Sequence, residues 1–426
     1  MAGGRWAVLS HGRIHHALFG AVAPASSPPG CYGGTVTEAV IVGAVRTPLG
    51  RGDRVRGSLR EVHPARLAAV VLRALVERVS IDPAHIDDVI VGCVSQVGEQ
   101  GLNVGRQAAI LAGYPVDVPA TTVDRQCGSS QQAVNFGAAM IRSGSADVVV
   151  CAGVESMSRV PMGSPIMGDW GTPFPPELLE IHDVISQGLA AEMIAERWSI
   201  SRREADEFAM ESQKRATRAQ AEGRFAAETA PVTVQDEGGH QSVGDDQGIR
   251  PGTTMESLGR LTPAFRPDGV HHAGNSSQIS DGAAALLLMS ADRAHRLGLP
   301  ARAAIRAQAV IGVDPVLMLT GPIPATRRVL ERAGLTVDDI DLFEVNEAFA
   351  SVVLAWAREL APDMTRVNVN GGAIALGHPL GASGARLMVT LLHELERTGG
   401  SLGLQTMCCG GGLGTATILD RDVRAQ

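Results

Sequence analysis

A distant internal echo is the feature that most constrains this chain. VLRALVERVSIDPAHIDDVIVGCV, residues 71–94, is matched by VLERAGLTVDDIDLFEVNEA, residues 329–348, and DVVVCAGVES more loosely by LGLQTMCCGGG. Each copy reads helix, acidic turn, strand. A separation of roughly 250 residues marks duplication of a domain, because solenoid repeats recur every 20–50 or so. Throughout, short β-branched runs alternate with alanine-rich amphipathic stretches, the pattern of an α/β fold. With 426 residues, 45% hydrophobic content, a mean hydropathy of +0.09 and 50 glycines, the chain can bury large cores in two or three subdomains.

Composition excludes several functions. A net charge of −8 leaves no basic stripe for nucleic acid. Six cysteines without a CxxC or a Cys/His metal spacing, two of them adjacent, suit a reducing compartment rather than a disulfide framework. No apolar run approaches the roughly 20 residues of a membrane span, so a soluble protein is expected. Lys214 is the single lysine among 37 basic residues, a bias of the kind a GC-rich genome produces. Residues 1–35 contain no acid and end in PASSPPGCYGG, which leaves open a transit peptide or a weak signal sequence. We favour translation from an upstream codon, with Val36 as the native start, and expect this extension to be mobile or unpacked.

Three glycine-flanked segments each carry one residue able to attack a carbonyl or handle a proton: Cys127 in DRQCGSSQQAV, His378 in NGGAIALGHPLGASGAR and Cys408 in MCCGGGLGTA. A thiolate is a strong nucleophile, but a free cysteine with a pKa of about 8.5 is only slightly ionised at neutral pH and needs help. The run from Tyr114 to Val123 reads as strand and turn. The following GSSQQAVNFGAAMIRSG has helical spacing, with Ala133, Phe136, Gly137 and Met140 on one stripe. Cys127 therefore falls at a helix start, where free N–H groups and the dipole would lower its pKa. Gly128 would leave room for a substrate. A lone cysteine is more often simply buried; here the local sequence argues for reactivity. The glycines and Pro379 put His378 in a tight turn. Gly410, Gly411 and Gly412 form a second close-approach loop, whose N–H groups could line an oxyanion hole. Asn346 and Glu347, before an apolar helix, are open to an ordinary capping role.

DRQCGSS, GNSSQISDGAA, DPVLMLTGPIPAT, NEAFA, NGGAIALGHPLGASGAR and CCGGG, in this order between Thr37 and Leu419, resemble the thiolase family. The wording is similar to acetyl-CoA acetyltransferases and 3-ketoacyl-CoA thiolases, and to actinobacterial members including those of steroid side-chain degradation. The resemblance implies two duplicated βαβ halves packed as five layers (αβαβα). An N-terminal half would span residues 36–158 and 280–303 and a C-terminal half 304–426, with an inserted loop domain at 159–279 covering coenzyme A. That insert holds a capping-box-like helix start at Ser201 to Glu204.

The resemblance also implies roles. Cys127 would be acylated, His378 its base and Cys408 the acid at carbon. Asn346 would hold a water, and the N–H groups of Cys127 and Gly410 would hold the oxyanion. Arg250, Ser257, Leu261 and Ser277 would contact coenzyme A, and Gln187, Leu319 and Phe349 would shape the acyl pocket. Four departures from the usual pattern stand out: Asp124 where asparagine is frequent, Cys409 in the variable slot, Gln187 where short-chain enzymes often carry methionine, and Leu319 in place of a glycine.

The activity implied is cleavage of 3-ketoacyl-CoA by CoA, as in fatty-acid β-oxidation, or the reverse condensation. CoA and acetyl-CoA would be substrates, with no tightly bound cofactor or metal. A cytoplasmic bacterial homodimer or homotetramer is expected, with CoA thioesters as the ligands. Two other readings compete with this one. A decarboxylating ketosynthase would place a second histidine where CCGGG stands, and a non-catalytic CoA-thioester or lipid-binding protein should lack one of Cys127, His378 or Cys408.

Overall fold

Strand β1 (Ala39–Arg46) is buried along its whole length, which is why AVIVGAV reads as one apolar run rather than an alternating one. Val40, Val42 and Val45 face one core while Ile41 and Ala44 face another. The computed structural model describes residues 37–169, 171–236 and 239–422; the extension at 1–35 lies outside the described residues.

After β1 and the short β2 (Gly50–Arg51), helix α1 (Pro64–Val79) begins with a proline in its first turn and ends at the left-handed Ser80. Strand β3 (Asp88–Gly92), helix α2 (Val104–Ala112), strand β4 (Ala120–Val123), helix α3 (Ser129–Ser143) and strand β5 (Val148–Ser156) follow. A long excursion contains α4 (Pro176–Ile181), α5 (Gln187–Arg197), α6 (Arg202–Ala221), the hairpin β6 (Val232–Asp236) and β7 (Gly239–Val243), and α7 (Met255–Gly259). The capping box read at Ser201 and Glu204 is formed at the start of α6. The chain returns through β8 (Ser280–Ser290) and α8 (Ala291–Arg296). It then lays down β9 (Ala303–Gly312), α9 (Pro322–Ala333), β10 (Leu342–Val345), α10 (Ala350–Leu360), α11 (Leu380–Thr398), β11 (Leu402–Cys409) and β12 (Leu413–Asp420).

The sheet order is β10-β11-β12-β9-β1-β8-β5-β3-β4, and the duplication is visible in its pairings. From the outer edge of one half, β4, β3 and β5 are parallel, and β8 and β1 are antiparallel additions. In the other half Val367 bridges β10 in parallel, β10 pairs parallel with β11, and β12 and β9 are antiparallel additions. The halves join where Val40 and Ile41 meet Ala304 and Ala303. Helices α3 and α11 share the central core, with Ile41, Ile141, Leu286, Met388 and Leu392 between the half-sheets. Helices α1 and α2 cover the outer face of one half, and α9 and α10 that of the other. This is the expected five-layer α/β fold.

The buried face of α3 differs from the expected stripe. Ala133 and Gly137 are buried, but Phe136 is exposed and Met140 half-buried, while Val134, Ala138 and Ile141 fill the core. Because α3 is sandwiched between a sheet and α11, its apolar arc is wider than a one-sided helix requires and centres elsewhere.

Candidate active site

Cys127 sits in a turn that β4 delivers to the start of α3. The Asp124 carboxylate accepts the Gln126 N–H at 2.6 Å, the Ser129 hydroxyl donates to the Gln126 carbonyl at 2.6 Å, and Gln126 adopts a left-handed φ of 49°. The Gly128 and Ser129 N–H groups are spent on Arg125 and Gln126 carbonyls within this turn. The N–H groups of Cys127 and of Gly410, from the β11–β12 hairpin, are the neighbours that favour the ionised Cys127 sulfur. The expected lowering of the thiol pKa does not occur. Burial, assisted by Glu155 and Asp124, pushes it up to about 11 against those two N–H groups.

Gly128 is also explained differently. A Cβ there would lie 2.7 Å from the Cys409 sulfur and 3.3 Å from Thr415, so the missing side chain makes room for packing rather than for substrate. Successive strand residues point to opposite faces. Cys409 lies under the Cys127 turn with Cys127, Met157 and Met407, and Cys408 faces the cluster of Ile194, Met318, Leu319 and Phe349. Burial raises the thiol pKa of both, and each has Cys127 as a neighbour.

His378 precedes α11 in a turn that needs Gly377, whose φ is 120° and whose Cβ would meet the Ser280 hydroxyl at 2.2 Å. The His378 backbone N–H donates to the Gln278 carbonyl at 3.0 Å and the Ser280 hydroxyl at 3.1 Å. Its ring is set by Ser383. That hydroxyl donates to the Pro379 carbonyl at 2.8 Å, so its oxygen, 2.6 Å from Nδ1, accepts. Nδ1 therefore carries the proton and Nε2 keeps its lone pair, 3.4 Å from the Asn346 amide nitrogen. Burial, then the Arg386 charge, lowers the imidazole to about 3. Asn346 is buried with Oδ1 unpartnered, and Glu347 accepts from Ser212, Asn368 and the Ile374 N–H. Neither side chain caps α10, so the capping reading fails.

A cleft of about 1030 Å³ has His378, Gly410, Gln187, Phe349, Ser277 and Arg250 in its walls. Phe265, 5.7 Å edge-to-face from Phe349, and Met318 extend its apolar side. At the polar end Arg51 and Arg250 lie close enough to repel, and among the described residues no carboxylate pairs with either. Six sequence candidates fall outside the cleft walls, and of these Cys127, Asn346 and Cys408 are buried, at 4%, 0% and 0% exposure. Ser257 is spent on the capping box of α7, Leu261 packs beside Gly274, and Leu319 is buried behind the wall with Cys408. Among the described residues no cluster of His, Cys, Asp and Glu suited to a metal ion occurs. No helix there is long and apolar enough to cross a membrane.

Residues 39–292 match the thiolase N-terminal domain and residues 299–421 the thiolase C-terminal domain. The chain belongs to the thiolase family. It is 47% identical to the steroid 3-ketoacyl-CoA thiolase FadA6 of Mycobacterium tuberculosis, over 91% of this chain and 95% of that protein. It is 46% identical to an acetyl-CoA acetyltransferase of Pseudomonas aeruginosa, over 90% of this chain and all of that one. The crystal structure of the Bacillus anthracis acetyl-CoA acetyltransferase superimposes with a TM-score of 0.83 at 39% identity, covering 90% of this chain and 99% of that one. This thiolase is accordingly an acyltransferase. Of the residues that complete its site, Ser383 had a sequence signal, a hydroxyl five residues past His378 near the start of the helix that follows it. Arg51 and Phe265 had none, since only the tertiary fold brings them to the cleft.

Proposed function

We propose that this thiolase cleaves 3-ketoacyl-CoA with CoA to acetyl-CoA and a shortened acyl-CoA, and runs the reverse condensation, through an acyl-Cys127 intermediate. The observation that carries the reading is the gathering of His378, Gly410 and the Cys127 turn, through Gln126, at one cleft, with Cys408 beside Cys127 and the Cys127 and Gly410 N–H groups favouring the ionised sulfur. A carbonyl attacked by that sulfur would present its oxygen to the same two donors. Both resting groups are neutral, because the thiol is raised and the imidazole lowered. Proton transfer to His378 Nε2 is therefore coupled to attack on the C3 ketone rather than completed beforehand. Collapse of the tetrahedral adduct breaks the C2–C3 bond. The departing acetyl-CoA enolate oxygen meets His378 and a water held by Asn346, and Cys408 delivers the proton to C2. Proton exchange with solvent returns His378 and Cys408 to their neutral forms; the CoA thiol then gives its proton to His378 as its sulfur attacks the thioester, and His378 passes that proton to the departing Cys127 sulfur as the shortened acyl-CoA forms.

Coenzyme A enters as substrate in this reading, with no resident metal or redox cofactor, beneath a cover formed by residues 159–279. The Arg51 and Arg250 guanidiniums, without carboxylate partners among the described residues, suit its phosphates. Arg51→Ala and Arg250→Ala are each expected to raise KM for CoA about tenfold, with kcat within about twofold, and to leave KM unchanged for phosphate-free pantetheine thioesters. Steady-state kinetics with both acceptors checks this. A homodimer or homotetramer in the bacterial cytoplasm is part of the same proposal. The open edge of β4, whose residues are only partly covered, offers an assembly surface.

The direct test is acylation. With a 3-ketoacyl-CoA and no free CoA, intact-protein mass and peptide mapping should show one acyl group on Cys127 and one equivalent of acetyl-CoA released. Acetyl-CoA released without any adduct, or an adduct on another residue, would refute the reading.

A further inference from the structure

We propose that Glu155 is a positioning residue of the thiolase reaction, an ionised buried carboxylate that sets the spacing between the Cys127 pocket and the His378 turn. The inference rests on the roles given to Cys127 and His378 above. Glu155 closes strand β5 and is fully buried. Its Oε2 accepts the Val94 N–H at 2.9 Å and the Gly381 N–H at 2.9 Å, and its Oε1 accepts the Ser95 N–H at 3.0 Å and the Gln100 amide at 2.8 Å. Gln100 cannot be turned round to offer its oxygen, because that oxygen accepts the Ser156 N–H at 2.7 Å.

Burial raises the carboxyl pKa, but all four neighbours are donors and none can accept an acid proton. The anion is the form that fits. One partner lies in the first turn of α11, a helix with no side-chain cap of its own that begins two residues after His378. Glu155, 226 residues away in the chain, caps that helix and complements its dipole. The other limb holds Val94, which packs against the Cys127 cluster. One oxygen thus ties together the supports of nucleophile and base. No step of the mechanism requires Glu155 to touch substrate.

Glu155→Gln tests this. The amide NH₂ would confront N–H groups, so the turn should shift, and kcat should fall about 10- to 100-fold with KM within about threefold. A second readout separates positioning from mere loss of fold. The ionisable groups around the Cys127 sulfur are Asp124, Glu155, the thiols of Cys408 and Cys409 and, on the mechanism above, the neutral His378. Removing the Glu155 charge should therefore move the pH midpoint of Cys127 alkylation by iodoacetamide downward while turnover drops. A kcat within twofold of wild type, or an unmoved midpoint, overturns the proposal. If Glu155→Gln gives no soluble protein, Gln100→Met deletes one donor and keeps the charge. It should lower kcat about three- to tenfold with the midpoint in place, and wild-type kcat there would likewise overturn it. Failure to acylate Cys127 in the wild-type enzyme would instead remove the catalytic reading itself.

Discussion

Alanine at position 127 is expected to lower kcat for thiolysis at least about 10⁴-fold while the enzyme still binds CoA thioesters. The loss is large because nothing nearby substitutes for the sulfur. Cys409 lies under the turn and its thiol is raised further still, and Cys408 sits on the far side of the same strand. Removing a covalent nucleophile abolishes the intermediate rather than weakening one contact, which is why such losses reach many orders of magnitude. The fold should survive, since the deleted atom is small and its two N–H neighbours can turn to water, at a cost of about 1 kcal/mol. Binding of acetyl-CoA by calorimetry, with no exchange of label between acetyl-CoA and CoA, is the expected pair of results. Retained exchange would end the assignment of the nucleophile.

Cys408→Ala should separate the two halves of the reaction. Cys408 is assigned only to the steps in which the enolate carbon gains or loses a proton, so C–C cleavage should slow by about 10²- to 10⁴-fold. Exchange of a saturated acyl group between CoA and Cys127 needs no carbanion and should stay within about threefold of wild type. In D₂O, wild-type enzyme should wash deuterium into the C2 position of acetyl-CoA, and Cys408→Ala should not. Deuterium entry at the wild-type rate would move the acid role elsewhere.

Much of this architecture was legible before the structure. The echo of residues 71–94 in 329–348 aligns the end of α1 and β3 with the end of α9 and β10, and those elements occupy equivalent places in the two half-sheets. The capping box of α6 was legible because its two partners are three residues apart. Local reading failed where the deciding contact is remote in sequence. The thiol pKa was expected to fall because a helix start promises free N–H groups, but the turn itself consumes them, and Gly410 and Glu155 come from other strands. Gly128 looked like space for substrate until Cys409 was found there. Ser257, inside α7, closes that helix's capping box, and Leu261, just after it, packs beside Gly274.

The paired cysteines of β11 carry a consequence of their own. Hairpin β11–β12 is held in register by eight residue pairs, from Leu402 opposite Asp420 to Cys409 opposite Leu413. A slip by a single residue would exchange inside for outside, turning the Cys409 sulfur toward the Phe349 side and burying the Cys408 sulfur beneath Cys127. Such a molecule would keep its strands and its thiol count and still be chemically inert, so the fidelity of that hairpin during folding matters as much as which atoms it bears.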